Sequence, residues 1–511
     1  MQKSRLYYSL MNSSISTLVF FLKLIMQFVV RTFFIRYLGV TYLGLNGLFS
    51  NVLSILSLAE LGIGTSIVYS MYKPIANNDQ EEVNALMDLY KKAYHYIGVG
   101  VAIIGISIIP FFQYISGDFE ITNQFILYYL LYLGNSVFSY FFTYKRSLLI
   151  ANQRTYVVNI NDFIFLLLSN IFQIYLLIHY QSFSLYLIIQ LVFTLLGNLS
   201  ISWKVDKDYK SLKNHKKKQL SDEKIRGIKR NVVGNMSSKI GGVIVMGTDS
   251  ILISSFVGLF AVGLYSNYTM IINNVQNLCK QVTNSITASI GNYIVNADTK
   301  KALELFKKHL FVNYSMLYFS TLILVAVLNP FIHWWIGEKY ILPPLSVALI
   351  IINLVIQIFR NTNFVFIDSY GLYWVQRWKS IIEATINLVS SLILLIIFDM
   401  GINGVLLGTI ISSFGYVMWV EVYYIFKYGL KESLTTYLKL FFKYLLLLVI
   451  ATGIVFYFQG LIPYNGLTSI IFKAVIATLI GAILYVLFYF NTSEFKYIVN
   501  VVKKLMRRKI N

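Results

Sequence analysis

The chain has 511 residues, 57% of them hydrophobic and 13% charged, with a mean hydropathy of +0.66. That balance excludes an ordinary soluble globule, which carries about 25% charged residues and would divide a chain of this length into two or three domains. The formal net charge is +21, but basic residues among apolar runs face anionic lipid headgroups, worth about 1 kcal/mol each near the surface, so no nucleic-acid partner is implied.

Apolar runs of about 20 residues, the length that crosses a bilayer as helix, fall near 14–38, 46–72, 94–114, 123–144, 157–179, 184–203, 232–256, 260–290, 310–333, 345–367, 380–398, 402–426, 438–459 and 466–490. Lipid offers no partner to backbone polar groups, so these runs predict about 14 transmembrane helices in an all-α polytopic membrane protein. Lys3 and Arg5 precede the first run, but Lys23 and Arg31 interrupt it and no small-residue cleavage site follows. The first span is therefore expected to stay as an anchor.

Within that span Lys23, Gln27 and Arg31 recur at i, i+4 and i+8 and share one helical face. The second span holds Glu60, the seventh Asn235, Lys239 and Asp249. The eighth carries Asn273, Asn277, Lys280 and Asn284 at i, i+4, i+7 and i+11. Ionisable groups at mid-bilayer cost about 2.5–3.5 kcal/mol on insertion scales, which makes them candidates for function. Lys23, Gln27, Arg31, Lys239, Asn273, Asn277, Lys280 and Asn284 would line a cationic, amide-rich pathway, with Glu60 and Asp249 as ion-coupling candidates. The competing readings are snorkelling of Lys23, Arg31 and Lys239 to the interface and pairing of Lys23 or Arg31 with Glu60 or Asp249. Further on, Glu383 and Glu421 read either as coupling-ion sites or as structural partners of Arg377 or of nearby polar groups, and Lys473 lies off the pathway.

The chain repeats itself. YLGVTYLGLNGLFS from Tyr37 answers to FVGLFAVGLYSNYT from Phe256, 219 residues later. Gly39 and Gly44 fall on Gly258 and Gly263, Asn77 and Asp79 on Asn296 and Asp298, and Gly117 on Gly337 with small gaps. Such a repeat predicts two pseudo-symmetric six-helix bundles, 1–203 and 231–426, around one pathway. A basic linker, 204–230, joins them, and 427–511 adds two further helices and a basic tail. The segments 73–92 and 292–308 read as matching short amphipathic surface helices, opened by acidic or polar residues.

With the N-terminus inside, 36 of the 43 Lys and Arg lie on inner segments and two, Arg36 and Lys339, on outer ones. The asymmetry orients both termini to the cytoplasm. The outer segments are too short to hold an enzymatic domain. The five histidines share no metal-ligand spacing, and Gly98-Val99-Gly100 sits in an apolar helix with no preceding strand. No phosphate-binding loop occurs, and the lone Cys279 allows no intrachain disulfide. The sequence predicts a carrier that is not an enzyme and holds no metal or cofactor.

The stretch from Arg36 to Asp79, with its YLG, SLAELGIG and YKPIA elements, resembles the polysaccharide transporter family of the multidrug/oligosaccharidyl-lipid/polysaccharide exporter superfamily. The resemblance implies two six-helix bundles, alternating access and a cationic cavity. It also implies a flippase that turns undecaprenyl-pyrophosphate-linked oligosaccharide across the bacterial cytoplasmic membrane, for capsule, exopolysaccharide, O-antigen or teichoic-type polymers. Membrane lipids, and the polymerase and glycosyltransferases of such a pathway, are the implied partners. A lipid II flippase, a cation/drug antiporter of the same superfamily and a non-transporting scaffold for polymer assembly stay open as alternatives.

Overall fold

The computed structural model describes residues 5–60, 63–117, 119–212, 220–284, 287–296, 298–372 and 374–508. Among these the chain is helical throughout, with no β-strand. It forms two compact units, residues 1–263 and 264–511.

Unit 1 holds α1 (Arg5–Leu38), α2 (Val40–Leu56), α3 (Ile63–Ala76), α4 (Gln80–Ile108), α5 (Phe112–Ile115), α6 (Asn123–Ala151), α7 (Thr155–Tyr180), α8 (Phe183–Asp208) and α9 (Asp222–Phe256), with the first turn of α10 (Leu259–Asn284). Unit 2 holds the rest of α10, then α11 (Thr287–Asn296), α12 (Thr299–Ile336), α13 (Pro344–Tyr370), α14 (Lys379–Ile396), α15 (Ile402–Ser412), α16 (Met418–Tyr424), α17 (Leu434–Gly460), α18 (Gly466–Tyr489) and α19 (Ser493–Arg508). Sequence alone draws the first bundle to 203; by packing, α9 joins unit 1 against α2 and α3.

Every predicted apolar run falls on helix, and eleven helices among the described residues are long and apolar enough to cross a membrane. The chain is an all-α, multi-pass membrane protein. Of the other three runs, two depart for physical reasons. The second is broken, α2 giving way to a tight turn at Ser57–Glu60 before α3 resumes at Ile63. The eighth, α10, carries Asn, Gln and Lys, and the side chains over much of the seventh, α9, lie outside the described residues.

The expected short amphipathic helices are not separate elements. Asp79 caps α4 by accepting from the Glu82 amide at 2.9 Å, and the helix then runs without a break from Gln80 to Ile108. Likewise α12 begins at Thr299, just after Asp298, and continues to Ile336. No Gly or Pro intervenes to end either helix at the surface.

The repeat appears in the backbone. Gly39 and Gly258 have φ of 87° and 107°, and Gly117 and Gly337 have 60° and 106°, a region that only glycine enters freely. Gly44 and Gly263 serve close approach instead. A Cβ at Gly44 would strike the Leu259 carbonyl, and one at Gly263 would strike the Val40 carbonyl. Val40 and Leu259 are themselves equivalent in the repeat, so the contact of α2 with the first turn of α10 is reciprocal. Lipid gives no hydrophobic push between helices, and small residues that let backbones meet supply the association.

Aromatic side chains fill each unit. Phe49 sits 5.2 to 5.8 Å from Phe125, Tyr129 and Phe112 in unit 1, all in edge or tilted geometry. In unit 2, α17 and α18 pack on α12, where Tyr314 stacks on Tyr444 at 4.4 Å and Tyr318 donates to the Gly481 carbonyl at 3.2 Å.

Candidate functional site: a polar chamber in unit 1

α1 is tied to α7 by three polar contacts near one end. Asn12 donates to the Gln153 carbonyl and accepts from the Tyr156 amide, and Asn159 donates to Ser16. Two turns further along, the shared face of α1 opens into a cavity of about 360 Å³. Lys23, Gln27 and Arg31 line it together, facing Asn46 of α2, Asn170 of α7 and Tyr186 of α8. Tyr132 and Tyr186 also stand close to the Arg31 guanidinium.

This pocket adjoins a larger chamber of about 660 Å³, the two sharing Asn46, Leu166, Asn170 and Tyr186. Polar residues reach the chamber along single helical faces. On α7 these are Asp162, Ser169, Asn170 and Gln173; on α8 they are Gln190, Thr194 and Asn198; on α6 they are Ser139, Thr143 and Arg146. Arg146 and Asp162 pair across the chamber at 2.7 Å. Gln173 donates to the Tyr186 carbonyl, which fixes α7 against α8. The chamber therefore offers a pair of cations at one end and neutral hydrogen-bonding groups along the rest.

The other predicted residues have different surroundings. Glu60 stands at the break between α2 and α3 and accepts from the Tyr94 hydroxyl at 3.1 Å, with Tyr140 beside it. Asp249 is buried in α9, next to Ser250, which accepts from Asn51 at 2.9 Å. Neither lines the chamber. On α10 the expected stripe belongs to unit 2, where Asn273 and Asn277 are exposed and Lys280 is half-buried. The side chains of Asn235, Lys239 and Asn284 lie outside the described residues.

Unit 2 holds a second polar centre, in which Glu383 and Glu421 pair with nearby groups other than Arg377. Arg360, counted above with an inner segment, is buried inside α13. It donates two bonds to Glu421, at 2.9 and 3.2 Å, and one to Glu383 at 3.1 Å. Lys379 donates to Glu421 at 2.7 Å. Arg377, the expected partner, instead stacks on Trp374 at 4.4 Å. Two cations against two carboxylates leave no net charge, and both oxygens of Glu421 accept from donors. Among the described residues no group of three or more His, Cys, Asp or Glu is placed to hold a metal ion.

The fold has solved counterparts. The chain is similar to the lipid II flippase MurJ in an inward closed conformation, with a TM-score of 0.65 at 18% identity, over 93% of this chain and 98% of that one. It is also similar to an inward-facing multidrug resistance MATE family transporter of the MOP superfamily, with a TM-score of 0.63 at 14% identity, over 80% and 96%. A MOP superfamily transporter from Pyrococcus furiosus gives 0.52 at 14%, over 84% and 95%. No family model and no curated protein matches the chain. The chain shares the fold of these solved transporters.

Proposed function

We propose that the protein is a flippase for undecaprenyl-pyrophosphate-linked oligosaccharides in the bacterial cytoplasmic membrane, with both termini in the cytoplasm. The observation that carries this reading is the convergence of Lys23, Gln27 and Arg31 on one cavity inside a membrane-spanning unit. Two cations in a low-dielectric setting favour a dianionic group, and charge-assisted bonds to a pyrophosphate are about twice as strong as neutral ones. Asn46 and Asn170 supply further donors and acceptors beside them. The similar transporters support a carrier over an enzyme, and the cationic lining argues against a cation/drug antiporter. Glycosyltransferases and a polymerase acting on the same lipid-linked intermediate are the partners this reading requires.

The test is charge reversal in cells that make the polymer. Lys23→Glu with Arg31→Glu is expected to abolish export and strand lipid-linked intermediates on the inner leaflet. Lys23→Gln with Arg31→Gln serves as the control for insertion. A well-inserted double reversal that exports at the parental rate overturns the cationic-cavity mechanism. The likeness to MurJ over 93% of the chain favours a second reading, lipid II as cargo. Rescue of growth in cells depleted of their lipid II flippase separates the two.

A further inference from the structure

The larger chamber has a composition unlike the cationic pocket it joins. Its charged lining residues, Arg146 and Asp162, neutralise each other at 2.7 Å. What remains is neutral: amides and hydroxyls together with the rings of Phe165, Phe193 and Tyr132. One group is left waiting. Asn198 is only 3% exposed, lines the chamber, and its Nδ2 has no hydrogen-bond partner among the described residues. An unmade bond on a buried amide costs free energy unless a ligand completes it.

A ligand that fits must be uncharged, rich in hydroxyls and apolar on its ring faces. A pyranose has that character, with hydroxyls around its edge and C–H groups on its faces. The chamber also shares Asn46, Leu166, Asn170 and Tyr186 with the pocket of Lys23 and Arg31, so the two adjoin. We propose that the chamber beside Asn198 is a saccharide subsite, which holds the phosphate-proximal sugar while Lys23 and Arg31 hold the pyrophosphate. This assignment rests on the flippase reading above and adds a specificity site to it. Asn198 donates to a ring hydroxyl or to an acetamido carbonyl.

The full-length protein in lipid nanodiscs is titrated with two probes, undecaprenyl pyrophosphate and the same lipid bearing one N-acetylglucosamine. The glycosylated probe is expected to bind the parental protein more tightly. Asn198→Leu is expected to weaken its binding roughly five- to tenfold, the value of one hydrogen bond, and to leave the bare pyrophosphate unchanged. Thr194→Val, a smaller change on the same face, is expected to weaken the glycosylated probe alone by a lesser factor and stands in if Asn198→Leu fails to fold. Equal binding of the two probes to the parental protein, or equal weakening of both by Asn198→Leu, overturns the saccharide subsite and leaves the pyrophosphate reading intact. If the parental protein binds neither probe, or if Lys23→Gln with Arg31→Gln weakens neither, the reading beneath it falls.

Discussion

Arg360 shows how a single buried charge can be structural where its sequence context suggests otherwise. Its guanidinium is bidentate to Glu421 and reaches Glu383, and the face of Phe364 lies 5.2 Å away. Lys379 closes the set from the start of α14. Removing one member of such a group leaves an uncompensated buried charge, which costs about 3–5 kcal/mol, whereas removing matched partners costs far less. Arg360→Met is therefore expected to lower the unfolding temperature in detergent markedly, and adding Glu421→Gln to restore part of the loss. An Arg360→Met protein as stable as its parent would show that the network carries no stability. The group was hidden from sequence because Glu383 and Glu421 lie 23 and 61 positions away, with no local periodicity linking them to Arg360. The face of Lys23, Gln27 and Arg31 was legible for the opposite reason, since all three stand on one helix within two turns. Asp162, Ser169, Asn170 and Gln173 repeat at the same helical spacing on α7. That signal is weaker because three of the four are uncharged and each alone is ordinary in a membrane helix.

Between elements, the reciprocal crossing of α2 with the start of α10 is the feature the repeat prepares. Glycines at matching positions were visible in the sequence; their mutual contact was not, because a repeat fixes equivalence and says nothing of which equivalents touch. With Gly44 against the Leu259 carbonyl and Gly263 against the Val40 carbonyl, a methyl group at either glycine forces the backbones apart. Overpacking of this kind costs about 1–3 kcal/mol. Val40 is buried at the crossing, so its accessibility reports on the contact. In a Cys279→Ser background, Val40→Cys is expected to react slowly with a thiol reagent, and Gly263→Ala to raise that rate several-fold. An unchanged rate would mean that the crossing yields elsewhere and the glycines are not what brings the helices together. The break between α2 and α3 was equally hidden. Ser57 to Glu60 contains no Pro or Gly, and the contacts of Tyr94 with Glu60 and of Tyr90 with the Gly64 carbonyl are tertiary.

At the scale of the whole chain, the distribution of Lys and Arg is what the proposed orientation rests on. Apolar patterning places the spans but cannot say which face is inside, and the asymmetry of basic residues supplies that choice. The densest run, from Lys204 to Arg230, starts near the end of α8, reaches into α9 and includes the exposed Lys210, while the segment between α17 and α18, with Tyr464, carries none. Anionic cytoplasmic lipid attracts the first and is indifferent to the second. The proposed orientation therefore puts Lys210 in the cytoplasm and Tyr464 outside, and it also sets the direction in which a lipid-linked cargo must move. With Cys279 replaced by Ser, a cysteine at Tyr464 is expected to react with an impermeant thiol reagent in intact cells. A cysteine at Lys210 is expected to react only after permeabilisation. Both sites are at least partly exposed, so poor access within the protein cannot mimic the result. Labelling of Lys210→Cys in intact cells, with Tyr464→Cys protected, would invert the protein in the membrane. A flippase loading on the cytoplasmic leaflet would then have to receive its pyrophosphate from the opposite end of the chamber.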